Sequence, residues 1–154
     1  MVMTIGRVLF ALLFILSGLS KFFDLGSTAQ LIEAKLGMPE MLANYATQIE
    51  NATGLTLFRV LAILAASVEV ICGVMIACNL ATRFFAAILL VFVVVVTFYV
   101  HDFWNQSGGS ERLNDIVQVL KNMAIVGALL MIIGYRPPVL SHNVETSYHD
   151  GPAL

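Results

Sequence analysis

The sequence predicts an all-α integral membrane protein: a bundle of four transmembrane helices with short interfacial helices in its first loop. Three observations predict it. Of the 154 residues, 59% are hydrophobic and only 12% are charged, about half the charged share of a typical soluble domain. The mean hydropathy is +0.90. The apolar residues also gather into four stretches, each near the roughly 20 residues that a helix needs to cross a hydrocarbon core.

The first span is predicted over Met3–Phe23. It begins like a signal peptide, with Arg7, an apolar run from Val8 to Leu16, and the small residues Gly18 and Ser20. The residues from Lys21 onward do not read as a mature secreted start, so the stretch is expected to remain as a span. The loop Asp24–Gly54 is long. Ser27 or Thr28 is expected to cap a short helix through Leu36, stopped by Gly37 and Pro39. Leu31, Ile32 and Leu36 would form its apolar side. A second segment, Pro39–Ala52, places Met41, Leu42, Tyr45 and Ile49 at helical spacing. Both segments are expected to lie at the interface and cover the mouth of the bundle.

The second span is expected over Leu55–Cys78 and the third over Arg83–Phe103. The tight turn Asn79–Thr82 makes these two antiparallel neighbours. Asn105–Asn114, with Ser107-Gly108-Gly109-Ser110, is expected to be a flexible loop. The fourth span is expected over Asp115–Tyr135. Residues 1–135 then form one membrane domain. Residues 136–154 form a polar tail, expected to be extended after Pro137-Pro138.

Charge excludes some functions and orients the chain. A net charge of −2 leaves no nucleic-acid footprint. Cys72 and Cys78 are six residues apart on one helix, on faces that cannot form a bridge, and read as small buried hydrophobes. Haem ligation by two histidines fails, because only His101 is near a span while His142 and His149 lie in the tail. No cluster of Cys and His suits zinc or an iron–sulfur centre. Four spans put both termini on one side, which carries Arg7, Arg83 and Arg136. The other side carries Lys35 and Arg112, with Lys21, Arg59 and Lys121 near helix ends. Setting the last three aside as site residues favours cytoplasmic termini, whereas counting all eight cations reverses the orientation.

The ionisable residues inside the spans carry the functional signal. A charge in lipid costs a few kcal/mol on insertion scales and marks a functional site by default. Lys21 ends the first span, Arg59 opens the second, His101 and Asp102 end the third, and Lys121 with Asn122 lies early in the fourth. All fall near the face opposite the termini. Glu69 follows Arg59 by about 15 Å of helical rise and requires a cation or a proton. Three stripes point inward: Arg7, Ala11, Phe14, Gly18, Lys21; then Ala62, Ala66, Glu69, Gly73, Ala77; then Lys121, Ala124, Ala128. Small residues let helices approach closely. One polar interior, capped by His101, Asp102 and Trp104, is the expectation. Snorkelling of Lys21 and Arg59 to the interface is the plain alternative. For Glu69 and Lys121 the alternative is a purely structural ion pair.

These pieces resemble the DoxX family of small four-helix membrane proteins. The resemblance rests on Arg7 with Leu16-Ser17-Gly18-Leu19-Ser20-Lys21, on Gly37-Met38-Pro39, on Glu69 with Gly73, on His101-Asp102-Phe103-Trp104, and on Lys121-Asn122 followed by Gly127. It extends to Tyr135. It implies a four-helix bundle of the bacterial inner membrane, or of an organelle membrane derived from it. It also implies a link to membrane redox work, since family members include a subunit of a quinone-reducing thiosulfate oxidoreductase and part of an oxidative-stress assembly with superoxide dismutase and a sulfurtransferase. The resemblance names Arg7, Lys21, Glu69, His101, Asp102, Phe103, Trp104, Lys121 and Asn122 as candidate site residues. It does not name a reaction.

Two functions follow as expectations. One is a redox-linked subunit that binds a quinone or another small apolar molecule in a polar-lined pocket. His101 or Lys121 would bond a quinone carbonyl, and Glu69 or Asp102 would relay protons. With no intrinsic cofactor, its electrons would come from a partner. The other is an accessory or assembly subunit of a larger membrane complex, whose ion cluster specifies packing. Expected partners are the bilayer, other membrane or redox proteins, and a second copy in a homo-oligomer. A transporter is disfavoured because the chain has no internal repeat.

Overall fold

The computed structural model describes residues 1–37, 40–100 and 109–135. They form six helices: α1 (Val2–Phe23), α2 (Leu25–Leu36), α3 (Glu40–Thr53), α4 (Leu57–Ala77), α5 (Thr82–Val100) and α6 (Ser110–Gly134). Among the described residues there is no strand. Helices α1, α4, α5 and α6 are long and apolar enough to cross a membrane. The chain is therefore the four-span α-helical membrane bundle that its composition predicts.

The junction between α1 and α2 is a single residue. Asp24 ends α1 through its N–H, which bonds Ser20 O at 3.2 Å. It also caps α2, its Oδ1 accepting from Ser27 N–H at 3.1 Å. This corrects the expected caps, Ser27 and Thr28. Without an intervening loop, the first N–H groups of α2 fall within reach of Asp24, and aspartate is among the best N-caps. Hydrogen bonds from Ser27, its side chain foremost and its amide second, hold the Asp24 carboxyl below its ordinary value. Helix α2 stops at Gly37, whose φ of 63° is the left-handed region that glycine enters without strain.

Helix α2 buries Ala29 and half-buries Leu25 and Ile32, packing on α4 and α5 beside Phe58 and Ala62. Leu31 and Leu36 remain exposed to the surroundings of the chain, and Leu36 lines a groove with Ile32. Helix α3 touches α4 lightly. Its Tyr45 is exposed and its Ile49 half-buried. The turn between α4 and α5 is tight, as predicted, with Asn79 and Ala81 at positive φ.

Helix α6 starts five residues earlier than the hydropathy suggests. Gly109, at φ 95°, serves as its N-cap, and Ser110 to Asn114 form a polar first turn and more. Leu113 is the one apolar residue in that stretch, so hydropathy alone assigns it to the loop. The predicted extension of the third span through Phe103 and the tail from Arg136 lie outside the described residues.

The spans do not pack evenly. The closest pair is α1 against α4, followed by α5 against α6 and then α4 against α5. Among the described residues, α1 and α6 make no close backbone approach. The α1–α4 seam is built from small residues: Ala11 and Ala66 are fully buried. Gly18 sits so close to α4 that a Cβ there would lie 2.7 Å from Val70 Cγ2 and 2.8 Å from Ala66 O. A Cβ on Gly73 would lie 2.8 Å from Ile15 Cγ1. Two of the three predicted inward stripes therefore do face inward. The third does not: Lys121 and Ala124 are exposed, and Ala128 is half-buried. Helix α6 presents Ile125, Val126, Leu129 and Ile133 to the core instead.

Candidate functional site: a polar centre in the α1–α4 seam

The buried charge in the described residues is Glu69, which is 6% exposed. It lies about 18 Å along α4 from Leu57 and about 12 Å from Ala77, at 1.5 Å per residue. Its Oε2 accepts from Lys21 Nζ at 2.7 Å. Lys21 Nζ also donates to Ser17 Oγ at 2.8 Å.

Antiparallel packing brings these groups together. Side chains on a helix lean toward its N-terminus. Lys21, near the end of α1, therefore leans deeper into the bundle. Glu69 leans the opposite way along α4. The two meet at the level of Ser17, one turn below Lys21. The sparse packing volume of Gly18 and Ala66 lets the helices approach closely enough for the pair to close. Lys21 does not snorkel, and its ammonium is spent on Glu69. The partner considered for Glu69 in the sequence, Lys121, is not part of this centre.

Lys121 is exposed on α6 and makes no hydrogen bond or ion pair among the described residues. The reason is helical phase. Asn122 shares the inward face with Leu129, and Lys121 precedes it by about 100°. Asn122 is half-buried, and its Nδ2 donates to Thr97 Oγ1 at 2.8 Å. Thr97 in turn donates to Val93 O at 2.6 Å. This second polar contact fastens α6 to α5. Arg59 is exposed in the first turn of α4, and no bond joins it to Lys21 or Glu69.

Arg7 belongs to the other end of the molecule. Its Nη1 donates to Asn79 Oδ1 at 2.7 Å, tying α1 to the α4–α5 turn. Its Nε is buried without a partner among the described residues. At the same end Arg83 Nη2 donates to Tyr135 O, closing α5 onto the end of α6. The start of α1 and the end of α6 thus lie beside the α4–α5 turn. His101, Asp102, Phe103 and Trp104 lie outside the described residues, so the expected cap over the polar centre is not placed.

Sequence reasoning missed Ser17, Thr97 and Asn79. Each left a signal. Ser17 precedes Lys21 by one turn. Thr97 interrupts a valine run, and Asn79 opens the turn. Among the described residues no group of three or more His, Cys, Asp or Glu could hold a metal ion.

Two grooves lie on the outside of the spans, and neither is lined by Lys21 or Glu69. The larger, about 350 Å³, runs between α2, α4 and α5. Leu61, Val68, Phe92 and Val96 are among its apolar lining, and Lys35 and Tyr99 also contribute to it. The smaller, about 320 Å³, lies beside Thr97 and Asn122 between α5 and α6. Among the described residues the ion pair is closed on itself, and both of these grooves are almost wholly apolar.

No curated protein and no solved structure matched the chain. A family model did match, over residues 2–102. That stretch contains α1 to α5 with both members of the ion pair, and it stops short of α6. The α1–α4 seam, with its glycines and its Lys21–Glu69 pair, therefore falls wholly within the matched stretch, and the chain belongs to the DoxX family.

Proposed function

We propose that this chain is a redox-linked DoxX-type membrane subunit that takes a small apolar molecule, a quinone by preference, into the groove between α2, α4 and α5. The groove carries the reading. Its volume of about 350 Å³ falls within the range of small-molecule sites. Its walls are almost wholly hydrocarbon, with Leu61, Val68, Phe92 and Val96 among them, which suits an apolar ring or an isoprenoid tail. Lys35 lies in the last turn of α2 and Tyr99 near the end of α5, so that end of the groove is at the face opposite the start of α1. The ion pair, on this reading, holds α1 to α4 and stays out of the chemistry. The inner membrane and cytoplasmic termini remain part of the proposal, supported by family membership and by Arg7 and Arg83 at one end.

A second reading has its own support. Lys21, Ser17 and Glu69 satisfy one another, as a structural cluster in an accessory subunit would. Gentle extraction followed by native mass spectrometry separates the two. A quinone near one per chain supports the groove, and decylubiquinone should then bind the purified protein. Val96→Trp should abolish that binding while Glu69→Gln retains it in whatever protein folds. A stoichiometric protein partner with no small molecule would favour the accessory subunit. Quinone binding undisturbed by Val96→Trp would contradict the groove as the site.

A further inference from the structure

The contact between α5 and α6 leaves a polar atom over, and its hydrogen bonds show which one. Thr97 donates its hydroxyl proton to Val93 O at 2.6 Å. Toward Asn122 its oxygen can then only accept. The Asn122 amide therefore turns its Nδ2 to Thr97, at 2.8 Å, and this fixes which way the amide lies. Its oxygen, Oδ1, has no partner among the described residues. The buried side-chain atom without a partner among those residues is Arg7 Nε, so Oδ1 is open to whatever lies beside it.

Depth makes this oxygen consequential. Asn122 lies about 18 Å of helical rise before Gly134, and Thr97 about 22 Å after Thr82. Both distances start from the end where Arg83 holds Tyr135 O, and a hydrocarbon core is about 30 Å thick. The amide is therefore inside the hydrocarbon, where an oxygen without a donor is costly. Beside it lies the groove of about 320 Å³ between α5 and α6. Asn122 and Thr97 line it with apolar side chains, Val94, Phe98, Val119 and Met123 among them. Val94, Phe98 and Met123 are exposed, so the groove opens toward the bilayer.

We propose that this groove binds a small apolar molecule bearing a hydroxyl group, which enters from the bilayer and donates to Asn122 Oδ1. The oxygen selects the donor. An acyl chain donates nothing. Lipid phosphates and ester carbonyls only accept, and headgroup hydroxyls and amines are held at the surface. An ordered water needs about two to four polar partners, which these walls do not supply. The volume selects a small body, since it falls within the range of small-molecule sites. The groove between α2, α4 and α5 is a different site, and the inference does not depend on its being occupied.

The test is equilibrium binding of para-hexylphenol and of its methyl ether to the full chain in lipid nanodiscs, against empty nanodiscs. The ether keeps the ring, the chain and the oxygen and lacks only the proton that Oδ1 would receive. The expected result is saturable binding of the phenol, with the ether at least about fivefold weaker. Asn122→Leu should bring the phenol down to the level of the ether. Val94→Trp fills the groove without touching the bond between Asn122 and Thr97, and it should abolish phenol binding. Val96→Trp, in the other groove, should leave it unchanged. The Val94 variant and the ligand pair decide the matter if Asn122→Leu accumulates poorly. Equal affinity for phenol and ether would overturn the proposal. So would phenol binding no greater than in empty nanodiscs, binding that survives Val94→Trp, or binding lost in Val96→Trp.

Discussion

Two seams in this bundle handle polar groups in opposite ways. Between α1 and α4, small residues bring the backbones together and a lysine and a glutamate neutralise each other at 2.7 Å. Between α5 and α6, larger apolar side chains meet, one amide–hydroxyl bond joins the helices, and the lysine beside it is left facing outward. The first seam is complete within the chain. The second fastens its inner face through Asn122 and Thr97 and leaves Lys121 outside the contact. A charged residue in a span is thus no single kind of signal: Lys21 is spent on a buried pair, and Lys121 is exposed on the outside of α6.

The largest effect should come from halving the closed pair. Glu69→Ala leaves Lys21 charged in the seam, and removing one partner of a buried pair costs about 3–5 kcal/mol. Folded protein in detergent titrations should fall accordingly. Crowding the same seam comes next. Gly18→Ala drives a Cβ against the Ala66 carbonyl, which cannot rotate away, and overpacking of this kind costs about 1–3 kcal/mol. Gly73→Ala should be milder, because its nearest obstacle is the movable Ile15 side chain. Thermal unfolding of the two variants would rank them.

The second seam should respond less. Thr97→Val removes the acceptor of Asn122, and interhelical hydrogen bonds in membranes average about 0.6 kcal/mol. Lys121→Met should change the stability of the isolated chain by no more than about 0.5 kcal/mol, since nothing among the described residues holds it. A large loss there would erase the contrast between the seams. The smallest effect concerns the Asp24 cap. Its carboxyl is held below the ordinary value, so its support for α2 is complete above the unfolded value and fades as pH falls through the lowered one. Protection against hydrogen exchange at the start of α2, taken relative to the intrinsic rate at each pH, should fall on acidification, and Asp24→Ala should show the low protection at neutral pH. High protection in that variant would remove Asp24 as the cap.

Much of the fold was legible because hydropathy, tight turns and glycine stops are local signals. The four spans, the Asn79–Thr82 turn and the end of α2 at Gly37 followed directly. The polar first turn of α6 did not, since it carries no apolar periodicity. The inward stripes of α1 and α4 were legible from Gly18 and Gly73, because small residues announce close approach. The pairing was not. Lys21 and Lys121 both sit near Glu69 in depth, and depth is all that a sequence supplies. Which lysine reaches it depends on which helices touch and at what rotation. On α6 a shift of one residue separates Asn122, which bonds Thr97, from Lys121, which bonds nothing described.

The most direct test of the structural role of the polar centre is a double-mutant cycle on Lys21 and Glu69, read as folded protein retained against denaturing detergent. With Lys21→Met and Glu69→Leu, each single variant should lose several-fold or more, and the double variant should recover most of the loss, because no unpaired charge remains in the seam. Losses that simply add in the double variant would contradict the pair as the fastener of α1 to α4.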